Sequence, residues 1–223
     1  MQAVNPRHHL GEATLLSYAA GALPAALAIV AATHSSMCMA CRRQLRMAER
    51  IGGGLIALQH EAAPPAGARE AMLARLDACA SSAAPALGSF EDAAAVGPDT
   101  LPVPLHPYFG RSLAGLPWRW MAAGMQGIRA GIGEGTLLML RVAPGEGIPM
   151  HGHHGSEFTC VLQGAYDDEF GRFSAGDLAE LGTDDRHRPV MASDMPCICI
   201  VGLDGDLHCE GCSPQALQPL FVA

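Results

Sequence analysis

The sequence contains no lysine: all fourteen basic residues are arginines, set against twenty-two acidic ones, for a formal net charge of -8. The missing lysine excludes nothing by itself. The acidic balance, however, argues against a surface built to neutralise phosphates, so direct nucleic-acid binding is not expected. Aromatic residues are scarce, at 5 % of the chain, which suits short alanine-rich helices better than a large rigid core. No basic stretch followed by an unbroken apolar run opens the chain, so no secretory signal is expected. Charge is also absent from residues 13–41, but Gly21 and Pro24 split this stretch and neither part reaches the roughly 20 apolar residues of a membrane span. The expectation is a cytoplasmic protein that does not contact a membrane, with 223 residues enough for two domains.

What is present begins with His34-Ser-Ser-Met-Cys38-Met-Ala-Cys41. Spacings of four and three put an imidazole and two thiolates on neighbouring turns at a helix start, aimed at a common point, as a tetrahedral zinc site requires. A fourth ligand is available upstream in the pair His8-His9. With eight cysteines in the chain and no export signal expected, metal binding or redox chemistry outranks a disulfide framework.

The pattern around this stretch predicts helices over residues 12–20, 24–34, 39–59 and 68–80, with Pro24 suited to the first turn of the second. Gly52-Gly53-Gly54 is expected to loosen or end the third. Arg42, Arg43, Arg46 and Arg50 form a stripe along it, read as a solvated face, with contact to an acidic partner as the alternative. Met72, Leu73, Leu76 and Ala80 recur at helical spacing. Four short helices offer little interior to receive that stripe, so it is expected to face a partner.

After residue 81 the composition shifts to Ala, Pro, Gly and Asp, a linker stiffened by proline near its end. Beyond it, apolar runs at 136–142, 157–162 and 197–201, bounded by glycine, predict an all-β sandwich or barrel. The expected fold class is therefore α+β and multidomain: a small helical bundle over 1–85, a linker over 86–107 and an all-β unit over 108–223. Within the β unit, His151-Gly-His153 projects two imidazoles from one strand face. Glu157 follows after a short loop, and His187 offers a fourth ligand. Three imidazoles and a carboxylate suit zinc, iron, manganese or nickel, and ligand type does not choose among them.

The spacing Gly145-x5-His151-x-His153-x3-Glu157-x6-Gly164 resembles the first cupin motif without departure. The second motif is weaker: Gly176-Asp177 and His187 are in place, but Gly182 and Asp184 occupy the usual Pro and Gly positions, and Met191 replaces an asparagine. Taken in order, Arg7-His8-His9, Tyr18-Ala-Ala-Gly21, His34-x3-Cys38-x2-Cys41, the cupin motif through Val161-Leu-Gln-Gly-Ala165, and Cys197-Ile-Cys199 resemble the ChrR-type anti-sigma factors. These join a zinc-binding anti-sigma domain to a cupin-like, jelly-roll domain. The resemblance implies one zinc ion held by His9, His34, Cys38 and Cys41, with His8 an adjacent decoy. It implies a second metal, zinc in that family, held by His151, His153, Glu157 and His187. It also implies a non-enzymatic protein whose N-terminal domain binds an extracytoplasmic-function sigma factor one to one, and whose C-terminal domain is needed for the response to singlet oxygen and related oxidants.

Other thiols carry no assigned role. Cys197 and Cys199 share a strand face and either sit near the second metal or fill the barrel as small apolar residues. In His208-Cys209-Glu-Gly-Cys212, the Cys-x2-Cys is a redox pair, a further metal clamp, or two surface thiols in a late loop. Cys79 and Cys160 carry no motif, and His154 is read as a loop residue. The rival from another class is a metal-dependent cupin oxygenase, against which stands the lack of an independent base or a substrate-clamping arginine. The mechanism expected is that four short helices bury too little to hold one arrangement, so that zinc supplies folding free energy and fixes the angle between the first and third helices.

Overall fold

The structure, a computed structural model, describes residues 6–81 and 99–209. Helix α1 (Glu12–Ala19) follows Gly11, and its first-turn Glu12 complements the helix dipole. Pro24 stands as the N-cap of α2 (Ala25–Met37), one residue outside the position expected for it. At Cys38 the backbone is extended (φ -102°, ψ 112°), and the chain turns by 116° into α3 (Met39–Ala57). The Cys38 sulfur accepts the Cys41 N–H at 3.5 Å, so a thiol takes the capping role usually given to a hydroxyl or carboxylate. Contrary to expectation, α3 runs through all three glycines. Glycine lowers helix propensity but keeps its N–H, so the hydrogen-bond ladder has no gap to break at. Helix α4 spans Ala68–Ser81.

The chain is described again from Asp99. Residues 99–107, expected to be the tail of a linker, are packed: Leu101 and Leu105 are buried, and the His106 Nε2–H donates to the Leu101 carbonyl at 2.8 Å. A 3-10 turn (Val103–Leu105) and the short α5 (His106–Phe109) lead into the β unit. Its strands are β1 (Arg119–Ala122), β2 (Met125–Ala130), β3 (Thr136–Val142), β4 (His151–His153), β5 (Glu157–Gln163), β6 (Ala165–Asp168), β7 (Gly171–Ser174), β8 (Leu178–Leu181), β9 (Arg186–His187), β10 (Val190–Met191), β11 (Cys197–Leu203) and β12 (Leu207–Cys209). They form a six-stranded sheet in the order β1-β2-β3-β11-β5-β8 and two three-stranded sheets, β10-β6-β7 and β12-β4-β9. Among the described residues no ladder joins these sheets. The α+β class stands as expected, but the jelly-roll unit is an open sandwich rather than a hydrogen-bond-closed barrel.

Strand alternation shows how the two halves meet. On β3 and β11, Leu137, Met139, Ile198 and Ile200 face one core, shared with Leu27, Val30 and Ala31 of α2. Leu138, Leu140, Cys199 and Val201 face another, shared with Tyr166, Phe173 and Met191 of the smaller sheets. The central strands are thus buried on both faces. The uncharged stretch of α2 is explained in the same way, because that helix packs against β5, β11 and the 3-10 turn. No single helix among the described residues is long and apolar enough to cross a membrane. The expectation of a helical bundle with little interior is corrected here: the β-sheet supplies the interior.

Gly202 permits this approach, since a Cβ there would stand 2.7 Å from the Ala26 carbonyl oxygen. Gly202→Ala should therefore lower stability by about 1–3 kcal/mol through overpacking. Gly53→Ala, on an exposed helix face with nothing within 4 Å, should raise it by about 0.5–1 kcal/mol. Chemical denaturation midpoints of the full chain check both signs.

Candidate metal centres

The first centre is built where the α2–α3 break brings three donors together. One donor atom from each of His9, His34, Cys38 and Cys41 lies within 4.8 Å of the other three. His34 Nε2 is 3.2 Å from Cys41 Sγ, and His9 Nδ1 is 3.3 Å from Cys38 Sγ and 3.7 Å from Cys41 Sγ. Tetrahedral bonds of about 2.0–2.3 Å would give nitrogen–sulfur edges of roughly 3.6 Å, so the set fits a zinc-sized, soft-liganded ion. The extended segment before α1 delivers His9, the only exposed member. His34 is fully buried, and burial lowers its imidazole to about 4 even though its bond to Gly176 works the other way. The ring is therefore neutral, with a free lone pair. Burial also pushes the Cys41 thiol up to about 11, so ligation would have to release that proton.

His34 is held from outside the helices: its Nδ1–H donates to the Gly176 carbonyl at 2.9 Å. His8, which resemblance set aside as a ligand, faces the other way. Its ring packs on Phe173 at 4.2 Å, and its backbone N–H donates to Asp177 at 3.0 Å.

The second centre gathers His151, His153, Glu157 and His187, all buried, with donor atoms again within 4.8 Å of one another. Strand β4 presents the first two, β5 opens with Glu157, and β9 pairs with β4 to set His187 directly across from His151. The weak second cupin motif still makes its turn, because Asp185 accepts the Gly182 N–H at 2.8 Å. Ring tautomers follow from their partners. His151 Nδ1 donates to the Pro149 carbonyl at 2.8 Å, and His187 Nδ1 donates to Asp168 at 3.0 Å. The two Nε2 atoms then lie 2.9 Å apart, a contact that needs a proton or a metal ion shared between them. Glu157 is 3.0 Å from His153 Nε2 and 3.7 Å from each of the other two. Burial alone would raise the Glu157 carboxyl, but its bonds to His151 and His153 and the charge of the histidines hold it well below its usual range. Burial likewise works to lower His151, and Glu157 overcomes it, so that imidazole stands above its usual value. The donor set fits a divalent metal ion.

Two residues at this centre escaped the sequence reading. Thr159 donates to Glu157 at 2.8 Å, and Asp168, its side chain fully buried, orients His187. Alternation along β6 from the inward Tyr166 was the signal that could have found Asp168. A narrow cavity of about 40 Å³ adjoins the centre, lined by His151, Glu157, His187, Thr159, Tyr166 and Cys199 among others. It has room for a few water-sized molecules. Cys199 therefore both lines this cavity and serves the core. Burial pushes its thiol well above the usual range and that of Cys197 up to about 12, so neither is a ready nucleophile. Cys160 is buried in the core facing α2. His154 is exposed and stacks on His208 at 4.7 Å. Cys212 and the side chains of Cys79 and Cys209 lie outside the described residues. Arg42, Arg43, Arg46 and Arg50 are all exposed.

A two-histidine, two-cysteine helical centre docked on a β sandwich with a three-histidine, one-glutamate centre defines the class: a helical module with its own candidate metal centre, carried by a cupin-like domain. A family model described as the ChrR Cupin-like domain matches residues 113–205. The Anti-sigma-E factor ChrR of Cereibacter sphaeroides is 37 % identical over 219 residues, which cover 96 % of this chain and 98 % of that protein. The crystal structure of Rhodobacter sphaeroides SigE in complex with the anti-sigma ChrR matches with a TM-score of 0.74 and 32 % identity, over 90 % of this chain and all of the matched chain. This chain belongs to the ChrR family of anti-sigma factors.

Two outcomes follow from the geometry. Asp168→Asn should weaken divalent-metal affinity at the second centre about 10–100-fold, because His187 loses its orienting acceptor; chelator competition on the full chain measures this. Unfolded His34 titrates near 6.5 and folded His34 near 4, so between those values the unfolded chain binds more protons. Metal-free protein should therefore lose on the order of 3 kcal/mol as pH falls from above 6.5 to about 4. His34→Gln should flatten that part of the stability–pH profile.

Proposed function

We propose that this chain is a cytoplasmic anti-sigma factor that holds an extracytoplasmic-function sigma factor one to one, keeps it from RNA polymerase, and releases it on an oxidative signal of the singlet-oxygen type. In this reading residues 1–85 capture the sigma factor and residues 108–223 sense the signal, with 99–107 packed against α2. His9, His34, Cys38 and Cys41 would hold zinc. His151, His153, Glu157 and His187 would hold zinc or another divalent ion.

The observation that carries the reading is an apolar surface left exposed among the described residues. Along α3, Met47, Ile51, Leu55 and Leu58 recur at helical spacing, and on α4 so do Met72, Leu73 and Leu76. Their exposures run from 44 % at Leu73 to 82 % at Leu58. Apolar faces of this extent are unusual on a monomer and mark a protein-binding surface. The stripe on α4 was expected from its spacing, whereas the one on α3 was hidden in the sequence by the arginines and glycines between its members. The acidic net charge fits a protein partner better than a nucleic acid. The homologue's name, Anti-sigma-E factor, and the matched complex with SigE support the same assignment.

Zinc at the first centre would supply folding free energy by tying residue 9 to residue 41, adding to the burial of α2. For the sensing role, support comes from the buried second centre and the small cavity beside it. The oxygenase reading is set aside: no arginine lines the cavity, which leaves nothing to clamp a charged substrate.

A double substitution, Leu73→Asp with Leu76→Asp, should weaken the sigma complex at least about 30-fold, the effect of losing roughly 2 kcal/mol at an interface centre. Both sites are exposed, so the circular dichroism of the free protein should not change. Titration calorimetry against the sigma factors of the same genome measures it. A full-length, metal-loaded protein that binds none of them would end the proposal.

A further inference from the structure

The β7–β8 turn of the cupin unit reaches across to the first metal centre and touches what orients two of its four ligands. Gly176, at φ 93°, turns its carbonyl onto the fully buried His34, whose Nδ1–H donates to it at 2.9 Å. That bond leaves the Nε2 lone pair pointing at Cys41. Asp177, itself buried, accepts the backbone N–H groups of Arg7 at 2.6 Å and His8 at 3.0 Å on one oxygen. These are the two residues before His9, in a segment with no secondary structure of its own. The His8 ring against Phe173 of β7 fixes the same segment.

The turn is itself rigid. Ser174 N–H donates to the other Asp177 oxygen at 2.8 Å, Gly176 N–H donates to the Val161 carbonyl at 2.8 Å, and Val161 N–H donates to the Asp177 carbonyl at 3.0 Å. Val161 lies on β5, the strand that opens with Glu157.

We propose that Gly176 and Asp177 complete the first metal centre from the second module, so that the cupin unit sets the affinity with which the helical module holds its metal. This rests on the reading that His9, His34, Cys38 and Cys41 bind a metal ion. Partners that orient a ligating imidazole typically account for 10–100-fold in affinity. Here those partners belong to the other half of the chain. Linkage then makes the effect mutual: metal binding strengthens the docking of the two modules by the same factor that docking strengthens metal binding. A change that moves the β7–β8 turn would loosen the metal of the sigma-binding module without touching a ligand.

The test uses the full chain and cobalt(II). Only a centre with cysteine ligands gives a thiolate-to-cobalt charge-transfer band, and loss of that band in Cys38→Ser assigns it to the first centre. Asp177→Ala should reduce cobalt affinity read from this band by about 10–100-fold. Thr14→Val removes a different contact of the same docking surface, the Thr14 hydroxyl's bond to Glu180, and should change the affinity by less than about threefold. Unchanged affinity in Asp177→Ala overturns the proposal, as do equal losses in both variants, which would make the effect one of docking in general. Absence of the band from the unsubstituted protein would instead defeat the reading of the centre itself. Should Asp177→Ala not fold, the unsubstituted metal-loaded protein decides. An exchange-protected His34 Nδ1–H, coupled across its hydrogen bond to the Gly176 carbonyl in nuclear magnetic resonance spectra, supports the proposal, and a freely exchanging one overturns it.

Discussion

Helix α2 lies on the outer face of the six-stranded sheet, close enough over β11 that only a glycine fits beneath Ala26, and this contact organises everything else. Leu27, Val30 and Ala31 meet Leu137, Met139 and Ile200 across it, and each fully buried aliphatic side chain contributes about 1.5–3 kcal/mol. The same helix ends in His34, so its seating decides where the first centre forms. The sharp turn at Cys38 then sends α3 away from the sheet. Because α3 leaves, its far half and α4 keep their apolar faces for another molecule. A metal ion at the first centre is therefore not alone in holding the helices, as their shortness suggested; the sheet supplies the hydrophobic mass and the ion would tie down the segment before α1.

The two centres differ in ways that suit different tasks. The first combines soft sulfur donors with one exposed histidine, at the start of α3. The second is hard, oxygen- and nitrogen-liganded and buried, with its imidazoles locked by Pro149 and Asp168. Thiolates there would face a severe desolvation cost, which is why Cys197 and Cys199, although close by, remain protonated core residues.

The distribution of polarity follows the same division. Arginines cover one side of α3 while its apolar residues line the other, an amphipathic pattern that normally signals a helix lying on a core. Here only Cys41 of that helix is buried. An amphipathic helix that buries so little among the described residues is suited to be half of an interface, and this is what membership in an anti-sigma family would lead one to expect.

Much of this protein could be read from spacing alone. The four-and-three interval of His34, Cys38 and Cys41 needs only a helix start to converge, and His151, His153 and Glu157 need only a strand, a short loop and the next strand. Those are local geometries, set by backbone periods of 3.6 and 2, so the sequence determined them, together with the strands at 136–142 and 157–162 and the order of the two modules. What tertiary structure alone decided were the encounters between residues far apart in the chain. The choice of His9 over His8 in space, the seating of α2 on β11, the packed state of residues 99–107, and the reach of Gly176 and Asp177 to the helical centre all depend on how two modules dock. Docking is set by shape and by unpaired hydrogen-bonding groups summed over a whole surface, and no short stretch of residues carries that sum.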